Sequence, residues 1–392
     1  MKHLRLLLAL TLLAAFAAGV LWPVFSSFNP PLSAVLGGTT APDPQTLHRR
    51  LRLPEGFVID TYADGLPQVR LLRFTAGGDL LASLPASGRV VLLEWDENGD
   101  GRPDGRSDLL IGLNKPHGLD FRDNWLYVAE TDGVARIRYD AAARRVRGTL
   151  ERVVKDLPAD GSHWTRTLKF GPDGWMYVSV GSSCNVCLEN DPRRAALLRY
   201  KPDSGGGEIY ATGLRNTVGF AWRPATQELY GVDNGRDLLG DDFPPCELNR
   251  IRQGGFYGWP YANGNRVADP DFGAGHEEEI NESIPPVHAF KAHTAPLSIV
   301  FLEGRQLPKE YRGAALVALH GSWNRSKKQG YQVVSLHFLA DGRIEERPFL
   351  SGFEQAEDVI GRPVDVAEGP DGAIYVSDDY AGAIYRVRYA GK

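Results

Sequence analysis

Short stretches in which apolar and polar residues alternate dominate this chain, and long runs with a helical period are scarce. Alternation at period two turns one face of a segment toward a core and the other toward water, so each stretch reads as a β-strand. The stretches come in pairs: 69–74 with 78–83, 117–121 with 125–128, 166–170 with 175–178, 218–222 with 228–230, 297–301 with 315–318, and 364–366 with 373–376. Tight-turn residues separate the partners, most plainly Pro172-Asp173-Gly174 and Pro370-Asp371-Gly372. Hairpins of one type recurring about every 50 residues predict an all-β, six-bladed β-propeller, in which each copy is one blade around a central channel. A row of β-sandwiches would not require one period. The spacing widens between the fourth and fifth copies, and residues 234–293 are expected to be loops at the end of the channel where propellers hold ligands.

The N-terminus departs from this pattern. Lys2, His3 and Arg5 precede an uncharged apolar run from Leu6 to Phe28, the order read by the secretory machinery. Ala15-Phe16-Ala17 resembles a cleavage site, yet the run continues to a length that spans a bilayer, so 1–28 reads either as a signal peptide or as a membrane anchor. Both readings export the chain to a periplasmic or extracellular location. Residues 29–51 read as a linker, and 52–392 as the propeller. Composition agrees, since 44 Gly and 26 Pro in 392 residues supply many turns. With 44 Lys+Arg against 49 Asp+Glu the formal charge is −5, which gives no footprint for nucleic acid. An anionic ligand must therefore meet a local cluster of bases.

Cys184 and Cys187 form a C-x-x-C pair with Leu188 where haem attachment would need His, so the pair reads as a local disulfide and Cys246 as a free or buried thiol. The segment Asp96-Glu97-Asn98-Gly99-Asp100-Gly101-Arg102-Pro103-Asp104 has oxygen ligands at positions one, three, five and nine of an EF-hand-type loop, with Ser107 in place of the closing Glu. It reads as a second calcium loop, through Asp96, Asn98, Asp100 and Asp104, or as an acidic hairpin turn.

From about Leu53 to Tyr389 the chain resembles the soluble pyrroloquinoline quinone (PQQ)-dependent sugar dehydrogenases, in the branch of aldose and L-sorbosone dehydrogenases. Five ordered motifs carry the resemblance: Ser162-His163-Trp164-Thr165-Arg166; Gly213-Leu214-Arg215-Asn216-Thr217-Val218-Gly219; Asn234-Gly235-Arg236 with Glu247-Leu248-Asn249 and Gly254-Gly255-Phe256-Tyr257-Gly258-Trp259-Pro260; Gly321-Ser322-Trp323-Asn324-Arg325; and Gly361-Arg362-Pro363-Val364-Asp365-Val366. The resemblance implies that His163 is the general base for a sugar hydroxyl. It implies that Arg215 stabilises charge on the quinone oxygen, and that Arg215, Asn216, Arg325 and Arg362 bind a planar cofactor with three carboxylates. It also implies a catalytic Ca²⁺ on the backbone carbonyls of Gly235 and Arg236. Trp259 and Trp323 are expected as flat walls of the pocket. Val364 stands where some members carry a second arginine, which leaves Lys327 or Lys328 to take that carboxylate.

The function these features predict is oxidation of a sugar by hydride transfer to PQQ, with electrons leaving to a quinone or a redox protein. A calcium-dependent propeller lactonase would place side-chain Glu, Asn and Asp ligands on the axis. A non-catalytic propeller that binds a protein or glycan would account for the repeats but not for the basic motifs.

Overall fold

The computed structural model of the chain describes residues 29–31 and 39–391, so the signal or anchor segment read at 1–28 lies outside the described residues. Six sheets form the blades of a β-propeller, each with four antiparallel strands, and the third blade gains a short parallel fifth strand, Gly255–Phe256. Each predicted hairpin supplies the two inner strands of one blade, as in Leu168–Phe170 with Met176–Val180 and Pro363–Glu368 with Ile374–Asp378. The second strand is buried along its whole length in five blades: Leu80–Leu84, Met176–Val180, Leu229–Asp233, Ala315–Leu319 and Ile374–Asp378. Neighbouring blades cover both of its faces, so both faces are mostly apolar or small, with Asp233 and Asp378 buried at the ends of two of these strands. Outer strands face water and are polar, as in Arg145–Val154.

Aromatic contacts join the blades at one repeated position. Tyr127, Tyr177, Tyr230 and Tyr375, each on a second strand, meet Phe170, Trp222, Phe301 and Phe74 of the adjoining blade, with ring centroids 4.9, 4.9, 5.7 and 4.9 Å apart. Two of these tyrosines also donate their hydroxyl to the carboxylate of a Pro-Asp-Gly turn, Tyr177 to Asp173 at 2.8 Å and Tyr375 to Asp371 at 3.2 Å. The glycines of those turns, Gly174 and Gly372, sit at φ +78° and +73°, where a side chain would be strained.

The ring is closed by the start of the chain. Phe57–Ala63 pairs antiparallel with Ala383–Tyr389 and becomes the outer strand of the last blade. The stretch 29–51, expected as a linker, contains a helix, α1 (Pro44–Arg50), capped by Asp43 and packed through Leu47 into the core of the last blade. A second expectation is also corrected. Residues 234–293 are not all loop, because Pro245–Ile251 and His288–Ala292 are the third and fourth strands of the fourth blade. Glu247 and Asn249 interrupt the apolar pattern there although Asn249 is fully buried.

Candidate functional site

The first strand of each blade is entered from one end of the channel, and the residues just before those strands converge there on a cavity of about 360 Å³. His163, Arg215 and Asn216 line it together, as do Arg70, His293, His320, Trp164, Trp323 and Asn324. Its floor is apolar: Val218 and Leu297 line it, and Val364 packs against them, 1% exposed. Val364 is thus a plug of the channel rather than a vacant arginine position.

His163 is held in one tautomer. Its Nδ1 lies 2.8 Å from the Ser182 carbonyl oxygen, which can only accept, so Nδ1 carries the proton and Nε2 keeps its lone pair. The Ser182 hydroxyl donates to the Cys184 carbonyl at 2.7 Å and turns a lone pair toward the same Nδ1 at 3.0 Å. Burial and then the Arg215 charge push the imidazole down to about 3, so it is neutral at ordinary pH. Arg166, fully buried, donates to the carbonyls of His163 and Thr165 at 2.9 and 2.7 Å and fixes the backbone of this loop. Gly181 permits the close approach, because a Cβ there would lie 2.5 Å from Asn216 Oδ1 and 2.7 Å from His163 Cβ.

Arg215 uses all five of its N–H groups within the protein. Nε donates to the Asn185 carbonyl at 2.9 Å, Nη1 to the carbonyls of Asn234 and Gly235 at 3.1 and 2.9 Å, and Nη2 to Asn185 Oδ1 and Asp237 Oδ2 at 2.8 and 2.9 Å. It offers a bound molecule its positive charge and its flat face, with no N–H to spare. Arg70 differs, for its Nη1 pairs with Asp379 at 2.8 Å while its buried Nε has no partner among the described residues. Asn324, on the opposite side in sequence, has a buried Oδ1 without a partner, while its Nδ2 donates to Asp237 at 3.0 Å and to His293 Nδ1 at 3.2 Å. His320 donates Nε2–H to Asp379 at 2.8 Å; burial and the Arg362 charge lower its imidazole to about 4.

These features sit on a chain with a clear kinship. The TrAA12-like family profile matches residues 51–244 and 267–390. The chain belongs to that family. An uncharacterised protein of Borreliella burgdorferi is 34% identical over 297 residues, covering 71% of this chain and 76% of that one. A pyrroloquinoline quinone-dependent sugar dehydrogenase of Hypocrea jecorina is 24% identical over 90% of this chain and 93% of its own, and the aldose sugar dehydrogenase YliI of Escherichia coli is 23% identical over 72% and 77%. Among solved structures, the Trichoderma reesei carbohydrate-active enzyme of family AA12 superposes with TM-score 0.77 at 23% identity, covering 87% of this chain and 98% of that one. The holo PQQ domain of Coprinopsis cinerea pyranose dehydrogenase does so with TM-score 0.73 at 22% identity, covering 89% and 98%. The structures share the propeller fold.

Within this member of the TrAA12-like family, two predicted arginines lie elsewhere than expected. Arg325 does not line the cavity; its guanidinium is captured by the Asp241 carbonyl and by Asp242 Oδ1 at 3.1 Å, on the 237–246 insert, the stretch that separates Arg236 from Glu247. Arg362 stands behind the lining, donating to the carbonyls of His320 and Gly321 at 3.3 and 3.0 Å. It positions His320 rather than reaching the cavity. Lys328 is tied to Asn29 Oδ1 at 2.7 Å and Glu357 at 3.3 Å, and neither it nor Lys327 lines the cavity. Trp323 lines the cavity, whereas Trp259 lies behind Arg215, its Nε1 3.4 Å from the Asn185 carbonyl. Trp164 takes the second aromatic place.

Gly235 and Arg236 also need separating. The Arg236 side chain is buried in an ion pair with Asp269, two contacts of 2.7 Å, and with Asp271 at 2.9 Å, which pins the excursion after the third strand of the fourth blade. The Gly235 carbonyl accepts Arg215 Nη1 and retains a second lone pair. Beside it lies a void of about 20 Å³ bordered by Asp233 and Glu247, which face each other across adjacent strands. Burial raises both carboxyls, Asp233 to about 6 and Glu247 to about 8, the latter also through the Asp233 charge. The Asp96–Asp104 segment is a turn whose carboxylates accept backbone N–H groups: Gly101 N to Asp96 at 2.9 Å, Arg102 N to Asp100 at 2.8 Å and Glu97 N to Asp104 at 3.1 Å. Cys184 and Cys187 form a disulfide, and Cys246 is a buried thiol.

Sequence reasoning missed Arg70, Asn185, Asp237, His293 and His320. Arg70 was hidden because the alternation reading placed it inside the strand 69–74, whereas the first strand begins at Leu72.

Proposed function

We infer that this protein is an oxidoreductase that uses PQQ to oxidise a sugar in the cavity at the channel mouth. One observation carries the reading: a neutral histidine with a free Nε2 and two guanidinium groups meet around a single polar cavity. The named relatives, a PQQ-dependent sugar dehydrogenase and an aldose sugar dehydrogenase, support the same chemistry. The fit to the cofactor rests on this chain's own groups. Arg70 has a buried donor without a partner, Asn324 a buried acceptor without one, Trp164 and Trp323 supply flat surface, and the volume lies within the range of ~300–1,000 Å³ usual for small-molecule sites.

In this reading Arg70 pairs with a cofactor carboxylate, and the saturated Arg215 contributes charge without hydrogen bonds. His163 receives at Nε2 the proton of the sugar hydroxyl, its Nδ1–H held by Ser182 throughout. PQQ, when bound, takes up the hydride from the carbon that bears that hydroxyl. The carbonyl oxygens of Gly235 and Arg236, hard donors of the kind Ca²⁺ prefers, would hold that ion, which would supply Lewis-acid polarisation to the cofactor. A quinone or a redox protein then removes the electrons. The apolar segment 1–28 is read as a signal or anchor that exports the propeller domain 52–392, so the reaction takes place in the periplasm or outside the cell.

Apo-protein incubated with PQQ and Ca²⁺ is expected to show a saturable absorbance change and to reduce an artificial dye when given an aldose or a 2-keto-aldose. Absence of PQQ binding, together with no dye reduction across a broad sugar panel, refutes the reading.

A further inference from the structure

The Cys184–Cys187 loop has no place in the chemistry above, yet it contacts several groups of the site. Asn185 lies between the two cysteines and makes five contacts with functional groups. Its carbonyl accepts Arg215 Nε at 2.9 Å and lies 3.4 Å from Trp259 Nε1. Its side-chain Oδ1 accepts Arg215 Nη2 and the Asp237 backbone N–H, both at 2.8 Å, and its Nδ2 donates to the Asp237 carbonyl at 3.1 Å. The neighbouring Cys184 carbonyl holds the Ser182 hydroxyl that borders His163 Nδ1. One short loop therefore orients both the histidine and the arginine, and it ties Asp237 to them.

Nothing regular supports that loop from outside. Residues 181–189 belong to no strand or helix, Leu188 is 60% exposed, and Cys184 through Cys187 are only partly buried. The start of the loop is held by hydrogen bonds: the Ser183 carbonyl accepts the Ser162 N–H at 2.8 Å, the Ser182 N–H donates to the Arg215 carbonyl at 2.8 Å, and Glu189 accepts the Ser183 N–H and hydroxyl at 2.6 and 2.8 Å, while the disulfide closes the four-residue ring around Asn185. The Glu189 contacts hold Ser183, which precedes the ring. The backbone direction of Asn185 itself is set by the disulfide.

We propose that Asn185 is a positioning residue for Arg215 and that the Cys184–Cys187 disulfide is what keeps it in place. The inference rests on the PQQ dehydrogenase reading for its effect on turnover, and on geometry alone for its effect on Arg215. An asparagine suits the position because one amide supplies an acceptor to Arg215 and a donor to the Asp237 carbonyl. A carboxylate would keep the first and lose the second.

The test compares full-length wild type with C184S/C187S, Asn185→Ala and Asn185→Asp. In apo-protein, the Arg215 Nε–H resonance, assigned by its absence in Arg215→Lys, is followed by hydrogen exchange. Wild type is expected to protect it, and C184S/C187S and Asn185→Ala to lose at least tenfold of that protection while their circular dichroism stays native. With PQQ, Ca²⁺ and sugar, both variants are expected to lose 10- to 100-fold in kcat with KM changed less than threefold, and Asn185→Asp to recover part of kcat. Full protection of Arg215 Nε–H in a folded C184S/C187S protein overturns the proposal. A kcat within twofold of wild type in that variant overturns it too. Should wild type itself bind no PQQ, the functional reading falls, and the exchange measurement still decides the positioning role.

Discussion

Replacing His163 by glutamine tests the neutral-base reading in two independent ways. Glutamine keeps a donor for the Ser182 carbonyl and removes both the Nε2 base and the titration. In the folded protein burial and Arg215 lower the imidazole to about 3, against 6.5 for an unperturbed histidine. Between these values the unfolded chain binds a proton that the folded chain refuses, so stability is full above pH 6.5 and falls as pH drops toward 3. Each pH unit in that window costs about 1.4 kcal/mol per such histidine, so from pH 7 to pH 5 His163 alone removes about 2 kcal/mol from the wild type. His117 and His320, also lowered by burial, act in both proteins alike and cancel in the comparison. Urea unfolding of apo-protein at the two pH values is therefore expected to move the variant about 2 kcal/mol closer to, or above, the wild type at pH 5. Turnover with PQQ and sugar is expected to fall by about 10²- to 10⁴-fold, the usual contribution of a general base. A stability gap that does not change with pH refutes the neutral buried imidazole, and turnover above a tenth of wild type refutes its role as base.

Other substitutions separate the remaining roles. Arg215→Lys leaves buried acceptors that one ammonium cannot span, and is expected to cost about 3 kcal/mol, or about 4 °C in a thermal melt of a domain this size; a melt within 1 °C of wild type contradicts the five-bond geometry. Arg70→Leu is expected to weaken PQQ binding at least tenfold in an absorbance titration, whereas Arg325→Leu, whose partners lie on the 237–246 insert, should change it less than twofold. Leu47→Ala should lower the urea midpoint by the equivalent of about 2–4 kcal/mol, because this 1%-exposed side chain docks α1 on the blade that closes the ring.

The propeller was legible in the sequence because its blades are local. Alternation, a tight turn and a second strand arise from residues within about twenty positions of one another, so each hairpin announces itself before the ring forms. His163, Arg215 and Asn216 were legible because they stand in short contiguous motifs, and the disulfide because its two cysteines are three residues apart. The tertiary structure decided what depends on distant partners. Ring closure pairs Phe57 with Tyr389, and no local signal carries that pairing. The last two strands of the fourth blade were hidden because polar Glu247 and Asn249 interrupt the apolar pattern, the latter fully buried and the former partly so. Arginines differ from strands in that a long, flexible side chain takes whichever acid the fold brings near: Arg325 meets Asp242 and Arg236 meets Asp269, so neither motif shows where its charge will point. The sequence alone thus determined which blades exist and which end of the channel holds the site; the fold determined that Arg70 and Arg215 line it, and that Arg325 and Arg362 do not.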